Sequence, residues 1–466
     1  METKKTIYCG EGMKKQVLMC APFNTRSGYG DHARSIFYSI MDREDLEIKC
    51  VDVRWGSTPR NHLDANNPKH KKLLDTFIDG KNIKQPDVYI DIRIPNEFQT
   101  PARFNIGITA GVEADICSAE FVMGCNKMDL SIVTSEFTKQ TFMRSIYDKV
   151  NDKTKQPEGV VQISKPMEVL SEGIDTDIYK PILDLGRSDD PFKKQIYDLI
   201  KENFVYLFVG QWGKGGYGED RKNISVMIKT FLQAFSNFPN PPALLLKTNG
   251  ADFSILDRKE TVDKIRKIRD QFKGLDSLPN IYLLHGDLTI EQMALLYNLP
   301  KIKAMISCTH GEGFGRPLAE ATCCDLPVIA SNWSGQLDFL NPKQSVMIEG
   351  ELKPIPDSLI WEPIIVKPGK WFNVNETDVV VKLRSFYKNH KSIKTNAKKL
   401  GLWNRSKFSL DAMANKFNGI LNKVFESLEN QPQPMSLKLP KLTKAGNKPK
   451  DSKPATIKLP KLKKVT

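Results

Sequence analysis

The 466-residue chain is predicted to be an α/β protein with two Rossmann-like domains. It is too long for one ordinary domain, and its 40% hydrophobic and 27% charged residues are typical of a globular protein. Strand-like and helix-like segments alternate in two separate series, as expected of parallel, doubly wound sheets. Ligands of such sheets bind beyond the carboxyl ends of the strands, so the cleft between the two units is the expected site.

The first series predicts a domain over residues 1–180. Its helical segments include "DHARSIFYSIMD" and the end of "DLSIVTSEFTKQTFMRSIY", in which Ser135 is the expected helix cap. The strand-like segments are "QVLMCAPF", "LEIKCVDVRW", "PDVYIDIRI" and "RFNIGITAGVE". The segment "PMEVLSEGIDTDIYKP" then leaves the domain, and a charged linker follows it.

The second series predicts a domain over residues 195–400. Its helical segments are "NISVMIKTFLQAF", "SILDRKETVDKIRKIRDQF" and "TIEQMALLYNLP". The strand-like segments that alternate with them are "FVYLFVGQW", "ALLLKTNG", "NIYLLHG", "KAMISCT" and "PVIAS". Residues 348–370 are interpreted as an insertion.

The chain ends in an amphipathic helix within residues 401–430 and a tail over residues 431–466. The tail contains ten lysines and one aspartate, so it carries +9 of the net charge of +14. A Lys/Pro-rich segment of this kind cannot bury enough apolar surface to fold alone, so we predict disorder. Because the tail repeats K-L-P-K-L, the alternative is a tether that docks on an anionic partner: an acidic protein, an anionic membrane or a nucleic acid.

The remaining charge and the cysteines indicate a cytoplasmic protein. Without the tail the net charge is +5, which does not indicate a nucleic-acid-binding core. The first residues lack the apolar run of a signal peptide, and no run reaches the roughly 20 residues of a membrane span. The eight cysteines are scattered without a CxxC pair, as expected of reduced thiols. The tail leaves open a position at a membrane or other anionic surface.

The segment "HGEGFGRPLAEATCCDLPVIAS" at residues 310–331 carries the strongest functional signal. It follows a buried strand, its glycines permit close backbone approach, and Pro317 suits the first turn of a helix. The free N–H groups of that helix suit a phosphate, while Glu312 and Glu320 can accept hydrogen bonds from hydroxyls. A sugar nucleotide would satisfy all of these groups. The alternative for Glu320 is a carboxylate that only complements the helix dipole.

The run "EGFGRPLAEA" resembles the E-x7-E signature of the family-4 glycosyltransferases, which have the GT-B fold. Four further segments are similar to elements of that family: "SGYGDHAR", "GIDTDIYKP", "RKNISVMIKTF" and "FSLDAMANKF". The resemblance extends over most of residues 15–428. It implies two Rossmann-like domains that face an interdomain cleft, with the C-terminal helix crossing back to the first domain.

The resemblance also implies roles for residues that would bind the donor. Glu320 would hydrogen-bond the ribose hydroxyls, and Glu312 would contact the donor sugar near the reacting centre. Arg221 and Lys222 would neutralise the diphosphate, with Lys214 in the glycine-rich loop at residues 213–220 as the alternative. The backbone that would line the sugar and the diphosphate belongs to Gly313, Phe314 and Gly315.

In the first domain the resemblance points to two loops. Gly28 and Gly30 would let the backbone approach the donor phosphates when the cleft closes. Glu113 and Asp115, in "GVEADI", are candidates for acceptor activation or for balancing positive charge at the transition state. The alternative for each acid is a capping or surface role, and His32 after the glycine loop has the same ambiguity.

The predicted function is a retaining hexosyltransferase that uses a nucleotide-diphosphate sugar, with UDP-glucose as the best guess, and requires no metal. "DTD" at 175–177 is interpreted as a turn, and the glycine-rich loop lacks the G-K-[S/T] of a P-loop. The alternatives are a sugar-nucleotide epimerase on the same fold and a non-catalytic scaffold tethered by its tail. The acceptor stays open among a glycan, a lipid-linked sugar, a protein, a small metabolite and a modified nucleic-acid base. The insertion at residues 348–370 is expected to shape the acceptor side.

Overall fold

The computed structural model describes residues 14–430, except residues 57, 81–83, 152, 186–189 and 251. Within this part of the chain, two six-stranded parallel sheets are each flanked by helices, and the predicted α/β class with two Rossmann-like domains is confirmed. The predicted tail at residues 431–466 lies outside the described residues. Among the described helices, none combines the length and the apolar character that crossing a bilayer requires.

The first sheet has the strand order β2-β1-β3-β4-β5-β8. Its strands are almost entirely buried at the centre of the sheet, because helices cover both faces. The strands are β1 (Lys15–Ala21), β2 (Leu46–Asp52), β3 (Val88–Ile92), β4 (Phe104–Thr109), β5 (Leu130–Val133) and β8 (Met167–Val169). The helices are α1 (Gly28–Tyr38), α2 (Pro68–Leu74), α3 (Ala119–Lys127) and α4 (Glu136–Arg144), and the hairpin consists of β6 (Tyr147–Val150) and β7 (Pro157–Val161).

Serine caps begin three of these helices where the sequence changes from strand to helix. The hydroxyls of Ser27, Ser118 and Ser135 accept hydrogen bonds from backbone N–H groups in the first turns of α1, α3 and α4. The predicted cap at Ser135 is therefore confirmed. These caps fix where each helix begins. The first turn of α4 also reaches the second domain, where the Glu136 N–H donates to the Asp338 carboxylate at 2.9 Å.

The second sheet has the strand order β11-β10-β9-β12-β13-β14, which is the Rossmann order counted from β9. The order reverses between β9 and β12, so the loops that follow these two strands open the expected crevice. The strands are β9 (Val205–Val209), β10 (Ala243–Lys247), β11 (Ile281–Leu284), β12 (Ile302–Ser307), β13 (Val328–Ser331) and β14 (Val346–Ile348). The helices are α5 (Pro191–Leu199), α6 (Ile224–Phe235), α7 (Ile255–Asp270), α8 (Ile290–Asn298), α9 (Arg316–Cys323) and α10 (Glu376–Lys407).

The chain crosses between the domains twice at one place. The Ile174 N–H donates to the Phe408 carbonyl at 2.8 Å, and the Leu410 N–H donates to the Ile174 carbonyl at 2.9 Å. Beyond this crossing, α11 (Leu410–Glu429) packs its apolar face into the first domain. The helix α10 continues to Lys407, so the second domain's last helix extends past residue 400.

A hairpin from the second domain reaches the first domain. It consists of β15 (Gly350–Pro354), β16 (Lys370–Val374) and the segment between them, and we call residues 350–374 the strap. The strap residues Ile355 and Trp371 are buried in a hydrophobic cluster built mainly from α3, α4 and the loop after β4. The insertion predicted at residues 348–370 therefore joins the two domains.

Candidate functional site

Glu312 is held by two interlocked loops at the carboxyl ends of β12 and β13. Its N–H donates to the Ser334 hydroxyl at 2.9 Å, and its carbonyl accepts from the Gly335 N–H at 2.9 Å. A Cβ at position 335 would collide with the Gly313 carbonyl, so only glycine fits there. The Glu312 backbone is therefore fixed, and its side chain is buried at the interdomain cleft.

Four charged side chains from both domains form one network. Lys222 Nζ lies 2.5 and 2.7 Å from the two carboxylate oxygens of Glu312. Arg221 Nη1 lies 3.5 Å from Glu312 Oε2 and 3.0 Å from Glu113 Oε1 of the first domain. The structure thus brings together four of the residues that the sequence singled out, whereas Lys214 is exposed in the preceding loop.

The charges in this network balance. Burial favours the neutral form of Glu312, but Lys222 and Arg221 outweigh it and hold its pKa below the ordinary value. Burial lowers the pKa of Lys222, and Glu312 opposes that shift. Two fixed cations thus face two carboxylates at the carboxyl ends of the strands. An entering dianion such as a diphosphate could pair with the cations and free the two carboxylates for hydroxyl groups.

The helix α9 begins beside this network. Gly315 precedes it with φ of 98°, a left-handed conformation that favours glycine, and Pro317 occupies the first turn as predicted. The Phe314 side chain points into the core and packs on Phe339, with ring centroids 5.1 Å apart. Only the backbone of Phe314 is therefore available to a ligand, consistent with the role that the resemblance implies.

Glu320 lies one turn into α9 and is also buried. Arg316 Nε donates to Glu320 Oε1 at 3.0 Å, and the Tyr297 hydroxyl donates to Oε2 at 3.4 Å. Arg316 Nη1 also lies 3.7 Å from Oε2 of Glu172, which follows β8 in the first domain. Burial raises the pKa of both carboxyl groups to about 7, although Arg316 opposes each shift. One arginine is thus shared by two buried acids across the cleft.

Sequence reasoning missed Glu172 and Arg316. Arg316 lies inside the run that resembles the E-x7-E signature, and Glu172 directly precedes "GIDTDIYKP". Neither was given a role, because their pairing depends on how the two domains face each other. Glu172 Oε2 and Arg316 Nη1 are buried without a hydrogen-bond partner among the described residues. His32 lies in the same region, both of its ring nitrogens are buried without such a partner, and burial lowers its pKa to about 4. These atoms without a hydrogen bond are compatible with a polar ligand in the cleft.

We expect Glu172→Gln to stabilise the protein in a pH-dependent way. The folded-state pKa of Glu172 is raised from 4.5 to about 7, so the folded protein binds the proton more tightly than the unfolded chain does. The contribution of Glu172 to stability therefore falls as pH rises from 4.5 to about 7, and the glutamine variant lacks this loss. Because one pKa unit corresponds to about 1.4 kcal/mol, the gap should reach a few kcal/mol. Urea unfolding at pH 4.5 and 7.5 measures it, with Glu168→Gln, at the exposed position of β8, as the control. A gap that is equal at both pH values would contradict the raised pKa.

The other predicted residues of the first domain have separate surroundings. Gly28 begins α1 and has open space where a Cβ would stand, whereas a Cβ at Gly30 would collide with the Thr25 carbonyl. Asp115 does not face the four-charge network's cations: its carboxylate accepts from the Lys370 N–H at 2.6 Å, and its own N–H donates to the Lys370 carbonyl at 2.9 Å. Asp115 thus anchors the strap, while Glu113 reaches the network.

His310 connects the strap to the loops of the second domain. Its ring stacks on Trp371 with centroids 4.1 Å apart, and its two nitrogens lie 2.6 Å from the Phe372 carbonyl and 3.0 Å from the Gly218 carbonyl. His310 directly precedes the glycine loop that carries Glu312. It therefore acts in packing and positioning beside the site.

Across the described residues, no cluster of His, Cys, Asp and Glu has the arrangement of a metal site. Residues 175–177 lie in a turn. The turn is closed by a hydrogen bond from the Tyr179 N–H to the Asp175 carbonyl at 2.8 Å. The described cysteines are free and buried, and the remaining one, Cys9, lies outside the described residues.

Sequence comparison finds similarity over part of the chain. No protein-family model matches the chain. The capsular polysaccharide biosynthesis glycosyltransferase CapM of Staphylococcus aureus is 24% identical over 173 residues, which are 37% of this chain. The match spans only 40% of the length of that curated relative.

Solved structures match over most of the chain. Anabaena HepE in complex with UDP and glucose has a TM-score of 0.57 at 12% identity and covers 88% of this chain and 100% of its own. Sucrose-phosphate synthase of Thermosynechococcus elongatus has a TM-score of 0.59 at 12% identity, with 89% and 100% covered. The trehalose 6-phosphate synthase of Burkholderia multivorans has a TM-score of 0.55 at 10% identity, with 89% and 100% covered. The chain has the GT-B fold of these proteins.

Proposed function

We propose that this protein is a glycosyltransferase that moves a hexose from a nucleotide-diphosphate sugar to a hydroxyl acceptor with retention of configuration. UDP-glucose is the first donor to test, because HepE was crystallised with UDP-glucose. The observation that carries the proposal is the four-charge network of Glu113, Arg221, Lys222 and Glu312 beside the N-terminus of α9. The similarity to the CapM glycosyltransferase supports the same reaction class.

In this proposal the donor replaces the contacts inside the network. The diphosphate binds Arg221, Lys222 and backbone N–H groups of the glycine loop that leads into α9, and the ribose hydroxyls bind Glu320. The Leu318 and Ala319 N–H groups already donate to the Gly315 carbonyl. Glu312 and Glu113 then accept hydrogen bonds from the sugar and balance the positive charge that develops on its ring. Because these cations are held in position in the cleft, they stabilise the charge that grows on the leaving diphosphate.

The transfer itself needs no covalent intermediate on the protein in this proposal. The bond between the anomeric carbon and the diphosphate oxygen breaks, and the acceptor oxygen bonds to the same face of that carbon. The diphosphate oxygen that leaves takes the acceptor proton. A requirement for a metal ion would show as loss of activity in a chelator, and we propose that activity persists there.

The proposal is tested by thermal stabilisation with UDP, GDP, ADP and their sugar conjugates. A ligand that binds only the folded state at 100 times its Kd stabilises it by about 2.7 kcal/mol, which is several degrees in Tm. We expect one nucleotide to stabilise the wild type and Glu320→Ala to lose most of that shift. Glu291→Ala, at an exposed position on α8, should keep it.

Three outcomes would contradict or redirect the proposal. If no nucleotide shifts the Tm of the wild type, the network serves structure and the scaffold alternative is favoured. If the donor is consumed without any acceptor and yields an isomeric sugar nucleotide, the protein is an epimerase. If Glu320→Ala keeps the full shift, the ribose is bound elsewhere. The ligand-free Tm of each variant checks that it still folds.

A further inference from the structure

The helix α10 has an uneven charge distribution. Acidic residues occur only in its first turn, at Glu376 and Asp378, where they complement the helix dipole. Residues 379–407 contain nine lysines and arginines and no aspartate or glutamate. The exposed lysines, together with two exposed apolar residues, define what we call the lysine face: Lys388, Lys391, Lys394, Lys398, Lys399, Leu402, Trp403 and Lys407.

The lysine face lacks compensating acids. After the first turn of α10, the ion pair found among the described residues is Arg405 with Asp325, at 2.7 Å, and none involves a lysine of the face. The positive charge extends to Lys303 in the neighbouring strand β12. Burial lowers the pKa of Lys303, and the positive charge of Lys394 lowers it further. Like charges on one helix face repel each other, and binding to an anionic surface would relieve that repulsion.

Two large apolar side chains stand beside these lysines. Leu402 is 68% exposed and Trp403 is 47% exposed. Because Lys398 and Lys399 precede them by one helical turn, all four side chains lie on the same side of α10. The Trp403 ring is held by Phe408, with centroids 5.4 Å apart and planes at 75°. An apolar tip thus lies at the end of a basic stripe.

We propose that the lysine face docks on an anionic lipid bilayer. Lysines near such a surface are attracted by the negative lipid head groups, and their long stems lie along apolar surface while the ammonium groups stay in water. Tryptophan and leucine enter the boundary between head groups and acyl chains, as on interfacial helices. A nucleic acid would also satisfy the charges, but it offers nothing to Leu402. The inference is independent of the proposed function.

The test uses the full chain and co-sedimentation with large unilamellar vesicles. The vesicles contain phosphatidylcholine alone or phosphatidylcholine with phosphatidylglycerol. The triple variant Lys394→Glu, Lys398→Glu and Lys399→Glu is compared with a matched triple variant on α7: Lys259→Glu, Arg266→Glu and Lys267→Glu. Both sets are exposed and change the net charge equally, but α7 also carries acids between its basic residues.

We expect the wild type to bind only the anionic vesicles and the α10 variant to lose at least about tenfold in affinity. The α7 variant should stay within about twofold of the wild type. The double variant Leu402→Ser and Trp403→Ser should lose the part of the binding that persists at high salt, because that part depends on apolar contact.

The proposal is overturned if the two triple variants lose affinity for the anionic vesicles equally, because that result would show an effect of net charge alone. It is also overturned if the α10 variant binds as well as the wild type, which would assign vesicle binding to another segment such as the lysine-rich tail. Binding to a duplex DNA probe, measured in a separate titration, tests whether the face binds nucleic acid instead. If the α10 variant loses DNA binding and no form binds vesicles, the face recognises a nucleic acid.

Discussion

Glu312→Gln is expected to lower kcat by about a hundredfold or more while the protein still folds. The substitution keeps the shape of the side chain but removes the charge that pairs with Lys222 at 2.5 Å and with Arg221. In the proposed reaction the same carboxylate contacts the donor sugar next to the reacting carbon. Loss of one fixed electrostatic contact in a closed site typically costs about 10²- to 10³-fold in kcat. Release of nucleotide from the donor that stabilises the wild type is the measurement.

A control variant and the stability of Glu312→Gln show whether the loss of kcat reflects catalysis. Glu291→Gln, at an exposed position on α8, should leave kcat unchanged. If Glu312→Gln retains kcat within about threefold, Glu312 is only the structural partner of Lys222. A loss of stability without a loss of activity per folded molecule would support that same conclusion.

Lys222→Met is expected to weaken the binding of a nucleoside diphosphate by about 10- to 150-fold. A hydrogen bond to a charged group contributes about 1.5–3 kcal/mol, and the methionine keeps most of the buried stem while it removes the ammonium. The bare nucleoside lacks the phosphates, so its weaker affinity should not change. Titration calorimetry with both ligands separates the phosphate contribution from that of the base and ribose.

The exposed lysine of the same region provides the matched control. Lys214→Met removes one positive charge from the glycine-rich loop but lies outside the network, so we expect less than a threefold change in either affinity. Equal losses in the two variants would mean that the diphosphate binds at the loop. In that case, the alternative that the sequence left open for Lys214 would be the better one.

The placement of Lys222, Glu312 and the start of α9 could be predicted because its signals are local. The buried strand β12, the glycines after it and Pro317 in the first turn of α9 lie within about twenty consecutive residues. The carboxyl ends of β9 and β12 are neighbours in the sheet, which places Lys222 next to Glu312 without any knowledge of the other domain. The roles of these residues toward a ligand remain predictions.

The contacts between the domains could not be predicted in the same way. Glu113 and Arg221 are 108 positions apart, Glu172 and Arg316 are 144 apart, and nothing in either segment marks its partner. The insertion at residues 348–370 was recognisable as an addition, but its apolar residues show no period that names a partner. That partner is an apolar cluster of the first domain. Only the relative placement of two folded units reveals these pairs.

The strap changes what opening the cleft requires. The backbone crosses between the domains at residues 174 and 408–410, which alone would permit a swinging motion about one edge. The strap adds a third, non-covalent connection. It is anchored by two hydrogen bonds between Lys370 and Asp115, one to the Asp115 carboxylate and one from the Asp115 N–H, and by apolar burial of Ile355 and Trp371. The two domains are therefore not joined by a free hinge. Full separation of the domains requires the strap to dissociate from the first domain, so we expect the rate at which large ligands exchange to depend on how fast the strap dissociates.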